Sequence, residues 1–377
     1  MLSFKRALTA AAIFITLFYL LTRSHAPVPP SIAIQQAYPN TDNLPDSLKQ
    51  SESTTSTPKT GGKTASNGAA GGAGAAAGQK ALQDMSKMST YEKLAYQYPY
   101  DVESKFPAYI WQTWKYTPAD GKFVFRGEEA SWTQHHPGFI HEVITDDVAE
   151  NLIKLFYASI PEVLEAYDAM PLPVLKADFF RYLILLARGG VYSDIDTSAL
   201  KSAVEWVPDS VPRDTIGLVI GIEADPDRPD WHEWYSRRIQ FCQWTIQSKP
   251  GHPVLRDVVA RITAETLRLK RSGSLAGFQD KNVIEFTGPA IWTDTIFEYF
   301  NDPRYFDMST SKGQIDWQNF TGMVTAKKVG DVIVLPITSF SPGVQQMGAQ
   351  DVDDPMAFVS HGFQGTWKPE NERHIGG

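Results

Sequence analysis

Apolar and polar positions divide the chain into three regimes. Ala7 to Leu21 is almost wholly apolar, broken only by Thr9 and Thr16, with Lys5 and Arg6 before it and Arg23 after it. At about 1.5 Å per residue it spans about 23–26 Å, near the lower limit for a bilayer. Short spans suit the thinner membranes of the early secretory pathway. The basic excess on the N-terminal flank predicts a cytoplasmic tail over 1–6, a transmembrane signal anchor over 7–22 and a luminal remainder. A cleaved signal peptide is the rival, because Ser24-His25-Ala26 loosely resembles a cleavage site; Pro27 directly after the cut disfavours it.

Between residues 23 and 89 the periodicity lapses. Pro27 to Pro30 is proline-rich, Ser51 to Thr57 is rich in Ser and Thr, and Gly61 to Gly78 is mostly Gly and Ala. Such a stretch cannot bury enough apolar surface to offset its ordering entropy. It reads as a flexible stem, and a coil of about 60 residues reaches about 40–45 Å.

From residue 90 to 377 helical and strand patterns alternate. Tyr109-Ile110-Trp111 predicts a strand, and Thr145-Asp146-Asp147 an N-cap with an acidic first turn for a helix through Tyr157. Pro161 opens a second helix. Pro173 opens a third, Val174 to Arg188, whose Leu175, Phe179, Tyr182, Leu183 and Leu186 share one stripe. Gly189-Gly190 stops it, and the strand Val191-Tyr192-Ser193 follows. Ile216 to Ile222 and Val332 to Leu335 are further strands, Pro253 to Lys270 and Pro289 to Phe300 further helices. This alternation predicts an α/β domain with a mostly parallel sheet, binding ligands at the carboxyl ends of strands. There is no internal repeat.

Composition changes the picture in two places. The formal net charge of −8 argues against a nucleic-acid binder. The one cysteine, Cys242, excludes an intrachain disulfide and sits in an apolar run as a core thiol.

Chemistry concentrates after the third helix. Asp194 and Asp196 are i and i+2, so on an extended chain both carboxylates face one way and can share a hard cation. Mg²⁺ and Mn²⁺ prefer oxygen ligands and keep positions open for phosphates. Asp-x-Asp alone is common at strand ends. Asp178 and Arg181, three apart in an otherwise apolar helix, add a second charged pair. It reads either as a buried structural salt bridge or as a pair that grips sugar hydroxyls and pyrophosphate oxygens.

Four blocks in order carry a resemblance: Ile110-Trp111-Gln112-Thr113-Trp114, Lys176-Ala177-Asp178-Phe179-Phe180-Arg181-Tyr182, Gly189-Gly190-Val191-Tyr192-Ser193-Asp194-Ile195-Asp196 and His361-Gly362-Phe363-Gln364-Gly365-Thr366-Trp367. Together they resemble glycosyltransferase family 32, in its fungal mannosyltransferase branch. The resemblance implies a GT-A, Rossmann-like fold, GDP-mannose as donor, and Mn²⁺ as metal with Mg²⁺ as the alternative. It also implies retaining α-1,6 transfer to the N-glycan core of glycoproteins, in an early-Golgi type II membrane protein. Carried over by position, Asp196 binds metal, Asp194 contacts metal or donor, and His361 completes the metal shell. Asp178 and Arg181 hold the mannose and Tyr192 lines the pocket. Trp111 stacks on the base, or is a plain core residue, and Trp367 lies near the β-phosphate. Gln243 belongs to another matching block, Gln243-Trp244-Thr245-Ile246; Thr287-Gly288-Pro289-Ala290 is a further one, suited to phosphate or acceptor oxygens.

Smaller features read more plainly. His252 is a helix-start packing residue, Glu223 and Asp225 belong to a solvated loop that could face the acceptor, and Asn319-Phe320-Thr321 is a glycosylation sequon. Three rival functions remain: a mannosyltransferase acting on inositol-phosphoceramide lipid, a non-catalytic subunit of a mannan-building complex, and a glycosidase with paired carboxylates.

Overall fold

A computed structural model describes residues 84–278, 283–306 and 313–365. The expected tail, anchor and stem up to residue 83 lie outside the described residues. Among those described, no helix is long and apolar enough to cross a membrane.

The elements follow in chain order. Helix α1 (Thr90–Gln97) starts at a capping box, with Ser89 and Glu92 satisfying each other's backbone N–H. Strand β1 (Tyr109–Thr113), helix α2 (Arg126–His135), strand β2 (Ile140–Ile144) and helix α3 (Asp146–Phe156) come next. Thr145 occupies the N-cap of α3 as expected, but its hydroxyl makes no cap bond. Helix α4 (Pro161–Ala169) and helix α5 (Pro173–Arg188) both carry proline in the first turn, where its missing N–H costs nothing. Then come β3 (Gly190–Ser193), β4 (Thr197–Ala199), β5 (Leu218–Ala224), β6 (Gln240–Phe241) and β7 (Thr245–Ser248). Helix α6 (Pro253–Arg271), the short α7 (Val283–Phe286), α8 (Pro289–Phe300), β8 (Lys327–Val329), β9 (Val332–Leu335), α9 (Ile337–Phe340) and β10 (Val359–His361) complete the list.

The central sheet runs β2-β1-β3-β7-β5-β9-β8, with β6 paired to β5 off this path. Strands β2, β1, β3, β5 and β9 share one direction, while β7, β8 and β6 run against it. The sheet is therefore mixed α/β with a mostly parallel strand direction, as the alternation predicts. Period-2 side-chain alternation sorts its residues between two cores. Trp111, Tyr192, Leu218, Ile220 and Val332 join the core under α3 to α6 and α8. Ile110, Val191, Val219 and Ile333 join the opposite one, with Trp132, Trp206, Phe340 and Cys242. Cys242 is buried, and burial pushes its thiol well above the ordinary range.

Two glycines make the approach to the site possible. Gly189 caps α5 at φ 64°, and a Cβ there would meet Ser248 O at 2.8 Å. Gly190 has φ 99°, and a Cβ would lie 2.6 Å from Tyr109 O. Only glycine adopts both conformations with that clearance, so α5 can turn straight into β3 with Trp111 beside Tyr192 in parallel register.

His252 is fully buried at the start of α6, where its Nδ1 accepts from Val254 N (3.2 Å) and its Nε2 lies 3.3 Å from Asp331. It is a helix-start residue. Asp225 is not part of a solvated loop: it is 8% exposed and held by Arg238, Thr321 Oγ1 and Gly322 N. Three donors on one carboxylate lock the end of β5 in place.

Candidate active site

Strand β3 delivers Asp194 at the carboxyl end of the sheet, but the triplet is not extended. It turns: Thr197 N and Oγ1 both donate to Asp194 O, at 3.2 and 2.6 Å. Ile195 plugs the turn into a small core with Phe123 and Phe125. The convergence of the two carboxylates thus comes from a turn with a buried middle residue, not from strand parity.

The turn is also tied from below. Gln112 Nε2 donates to Asp194 O (3.0 Å), so Gln112 Oε1 must accept from His141 Nε2 (2.9 Å). That puts a proton on His141 Nε2, while its Nδ1 faces the Thr133 hydroxyl at 2.9 Å. Burial, with the neighbouring His136, lowers the His141 pKa to about 4.

Arg181, 3% exposed, joins the helix to the turn. Its Nη1 lies 2.7 Å from Asp178 Oδ1 and its Nη2 3.0 Å from Asp194 Oδ1, with the guanidinium 5.1 Å from the Tyr192 ring centroid. Burial opposes its charge, yet Asp194 and Asp178 hold its proton well above the ordinary range. The 2.7 Å contact to Asp178 lacks hydrogen-bond alignment, and Nε and Nη1 are buried without a hydrogen-bond partner among the described residues. The salt bridge is therefore structural and also leaves donors over. Asp178 is oriented by Thr287 Oγ1 (2.8 Å) and Gln243 Nε2 (3.3 Å). The Tyr192 hydroxyl donates to Asp194 Oδ1 (3.0 Å) and lies 3.2 Å from Thr113 Oγ1.

Asp196 faces a different partner. Strand β10 pairs antiparallel with β4, placing His361 opposite Thr197. His361 Nε2 then lies 3.2 Å from Asp196 Oδ1, and Gln364 N donates to Oδ2 at 3.1 Å. Phe363 adopts φ 45° to bring that N–H round, a left-handed conformation costing about 1–3 kcal/mol for a non-glycine residue. Trp244 stacks on the His361 ring at 4.2 Å and Phe363 packs at 4.1 Å. The two carboxylates consequently differ. Burial raises the pKa of Asp194 against the pull of Arg181. Burial also works against Asp196, but the His361 hydrogen bond and charge outweigh it and its pKa falls.

Asp194, Asp196 and His361 each offer one ligand atom, all within 4.8 Å of one another, and His361 Nδ1 is buried without a partner among the described residues. Two carboxylate oxygens and an imidazole nitrogen fit a divalent cation such as Mn²⁺. An added positive charge would relieve the burial cost on Asp194.

The structure thus brings together Asp178, Arg181, Tyr192, Asp194, Asp196, Gln243 and His361. Trp111 sits at the base of the cluster, 7% exposed, donating its indole N–H to Gly189 O (2.9 Å) and stacked on Tyr109. Trp367 lies outside the described residues. Sequence reasoning missed His141 and Thr113, and the role of Trp244 as a shelf for His361. Thr113 was open to detection, since it shares the Trp111 face of β1. His141 carries no local signal, because its role exists only once β1 and β2 pair.

A family model described as a glycosyltransferase sugar-binding region containing a DXD motif matches residues 124–213, the stretch that holds α5 and the acidic turn. The chain is 49% identical to the initiation-specific alpha-1,6-mannosyltransferase of Candida albicans, over 74% of this chain and 76% of that one. It is 46% identical to the protein of the same name from Schizosaccharomyces pombe, over 74% and 68%. A third of that name, from Saccharomyces cerevisiae, is 35% identical over 76% and 83%. The acidic turn, its arginine and the β10 histidine thus sit in a chain that belongs to glycosyltransferase family 32.

Proposed function

We propose that this protein is a retaining α-1,6-mannosyltransferase that moves mannose from GDP-mannose to the N-glycan core of glycoproteins, starting outer-chain elongation. It works with Mn²⁺, or Mg²⁺ in its place, on a GT-A fold. The observation that carries the reading is Arg181, buried between Asp178 and Asp194, with its Nε left without a partner among the described residues. Such a guanidinium offers fixed positive potential to an anionic donor.

Asp194, Asp196 and His361 would hold the cation, which supplies charge stabilisation as the diphosphate leaves. Arg181, buried behind Asp194, adds fixed positive potential at the donor. Thr287 and Gln243 hold Asp178 ready to accept a sugar hydroxyl. Tyr192 keeps Asp194 in its rotamer, and the Gln112–His141 pair keeps the turn in register. Retention by attack on the face of departure needs no protein nucleophile, so placing the acceptor hydroxyl supplies much of the rate. The apolar run over 7–22 would hold the protein in an early-Golgi membrane with this site luminal, on a stem over 23–89.

The test is incubation of the full chain with GDP-mannose, Mn²⁺ and a defined high-mannose glycan, reading mass and linkage. One α-1,6-linked hexose is expected. Donor turnover with transfer only to inositol phosphoceramide, or with no transfer to glycan, would overturn the acceptor assignment.

A further inference from the structure

The connection from β5 to β6, residues 225–239, leaves the end of β5 and enters the start of β6, which pairs antiparallel with it. Residues 231–236 of this connection, with Glu285 of α7, line a cavity of about 390 Å³. That volume is in the range of small-ligand sites, about 300–1,000 Å³. Glu233, Glu285, His232 and Ser236 make its lining mainly polar, with a smaller contribution from Trp231, Trp234 and Tyr235.

Trp234 is 64% exposed, unusual for so large an apolar side chain. It is not loose. The Arg228 guanidinium lies 4.7 Å from its ring centroid, and Asp230 grips that guanidinium with two bonds of 2.5 and 2.6 Å. Arg237 staples the same segment to two helices, bonding Asp294 of α8 at 2.6 and 2.5 Å and Glu285 at 3.1 Å twice. Trp234 thus stays at the surface, beside the cavity.

Both walls lead back to the donor site. Glu285 is two residues before Thr287, which bonds Asp178. Tyr235 lies within the field of Glu223. Glu223, held by Gln240 Nε2 at 3.1 Å, in turn lies within the fields of His361 and Arg181. The carboxylates of Glu233 and Glu285 repel phosphate, and Arg237 is already engaged, so the cavity suits no nucleotide. It suits a neutral polyol: C–H faces against the tryptophans, hydroxyls donating to the carboxylates.

We infer that residues 231–236 and Glu285 form a subsite for acceptor mannose residues beyond the one that receives the new sugar. This rests on the proposed mannosyl transfer to glycan. The experiment measures KM and kcat of the full chain for a defined high-mannose glycan, with GDP-mannose hydrolysis followed in the same preparations. Losing one anchoring aromatic in Trp234→Ala raises the glycan KM about tenfold with kcat changed by less than about twofold. Trp234→Phe, which keeps a ring, restores most of the affinity. A KM within about twofold of wild type in both Trp234→Ala and the Trp231→Ala/Trp234→Ala double variant overturns the subsite alone. So does a loss confined to kcat. A wild-type protein that hydrolyses GDP-mannose but adds no mannose to glycan overturns the transfer reading and the subsite with it.

Discussion

Replacing Arg181 by methionine removes the cation between the buried Asp178 and the half-buried Asp194. In the native protein its nitrogens lie 2.7 Å from Asp178 and 3.0 Å from Asp194. Without it Asp178 keeps Thr287 and Gln243, and Asp194 keeps Tyr192. None of these carries charge. Breaking a buried pair from one side costs about 3–5 kcal/mol. The lower part of that range applies here, because the Asp194 side chain is 28% exposed and water reaches it. The sign of the pH dependence follows. In the variant Asp194, whose carboxyl burial already raises, loses the opposing pull of Arg181 and moves further above its unfolded value, so the folded state binds more protons than the unfolded one. That contribution is fully present below the unfolded pKa of about 3.9 and is lost as pH rises through the folded value. The deficit against wild type, measured by urea denaturation, should therefore be larger at pH 8 than at pH 5. Arg181→Lys should fall between, since one ammonium reaches one carboxylate well and the other poorly. A deficit below about 1 kcal/mol, typical of an exposed pair, or one independent of pH, would refute the reasoning.

Two further predictions concern the supports of the acidic turn. His141, held neutral with a pKa lowered to about 4, gives stability that is present above its unfolded value of about 6.5 and lost as pH falls towards 4. The loss is about 3 kcal/mol at most, because Glu129 at 3.7 Å favours the charged ring; His141→Gln should flatten this slope in denaturation curves taken across the window, and an unchanged slope would contradict the assignment. Gly190→Ala should lower the melting temperature sharply, with a forced positive φ alone costing about 1–3 kcal/mol before the 2.6 Å overlap with Tyr109 O. Gly138→Ala, at φ 89° but with nothing within 4 Å, is the control and should cost less.

The elements with strong local rules were legible in the sequence. Proline-led helices α4, α5, α6 and α8 start where Pro161, Pro173, Pro253 and Pro289 stand, because proline acts through its own ring. Gly189 and Gly190 marked the helix-to-strand turn for the same kind of reason. Strands β2, β4, β6, β7, β8 and β10 were not foreseen. Two to five residues long, they take their conformation from partners distant in sequence. Around the acidic turn, Asp178, Arg181, Asp194 and Asp196 could be picked out as charges in apolar surroundings. Glu223 could not be assigned from sequence, because its orientation depends on Gln240 across a bulged strand pair. The meeting of His361 with Asp196 depends likewise on the β4–β10 ladder. Local composition says nothing about such a pairing; the resemblance to the family supplied it.

The central claim is that Asp194, Asp196 and His361 form the cation site of a sugar-nucleotide transferase. Titration of Mn²⁺ into the full chain with GDP present, followed by electron paramagnetic resonance, tests it most directly. The expected result is one bound ion per chain in wild type. In Asp196→Ala, which keeps a native circular dichroism spectrum, that binding and GDP-mannose turnover should both be lost. An Asp196→Ala protein that binds Mn²⁺ as tightly as wild type and turns over GDP-mannose at the wild-type rate would contradict the account.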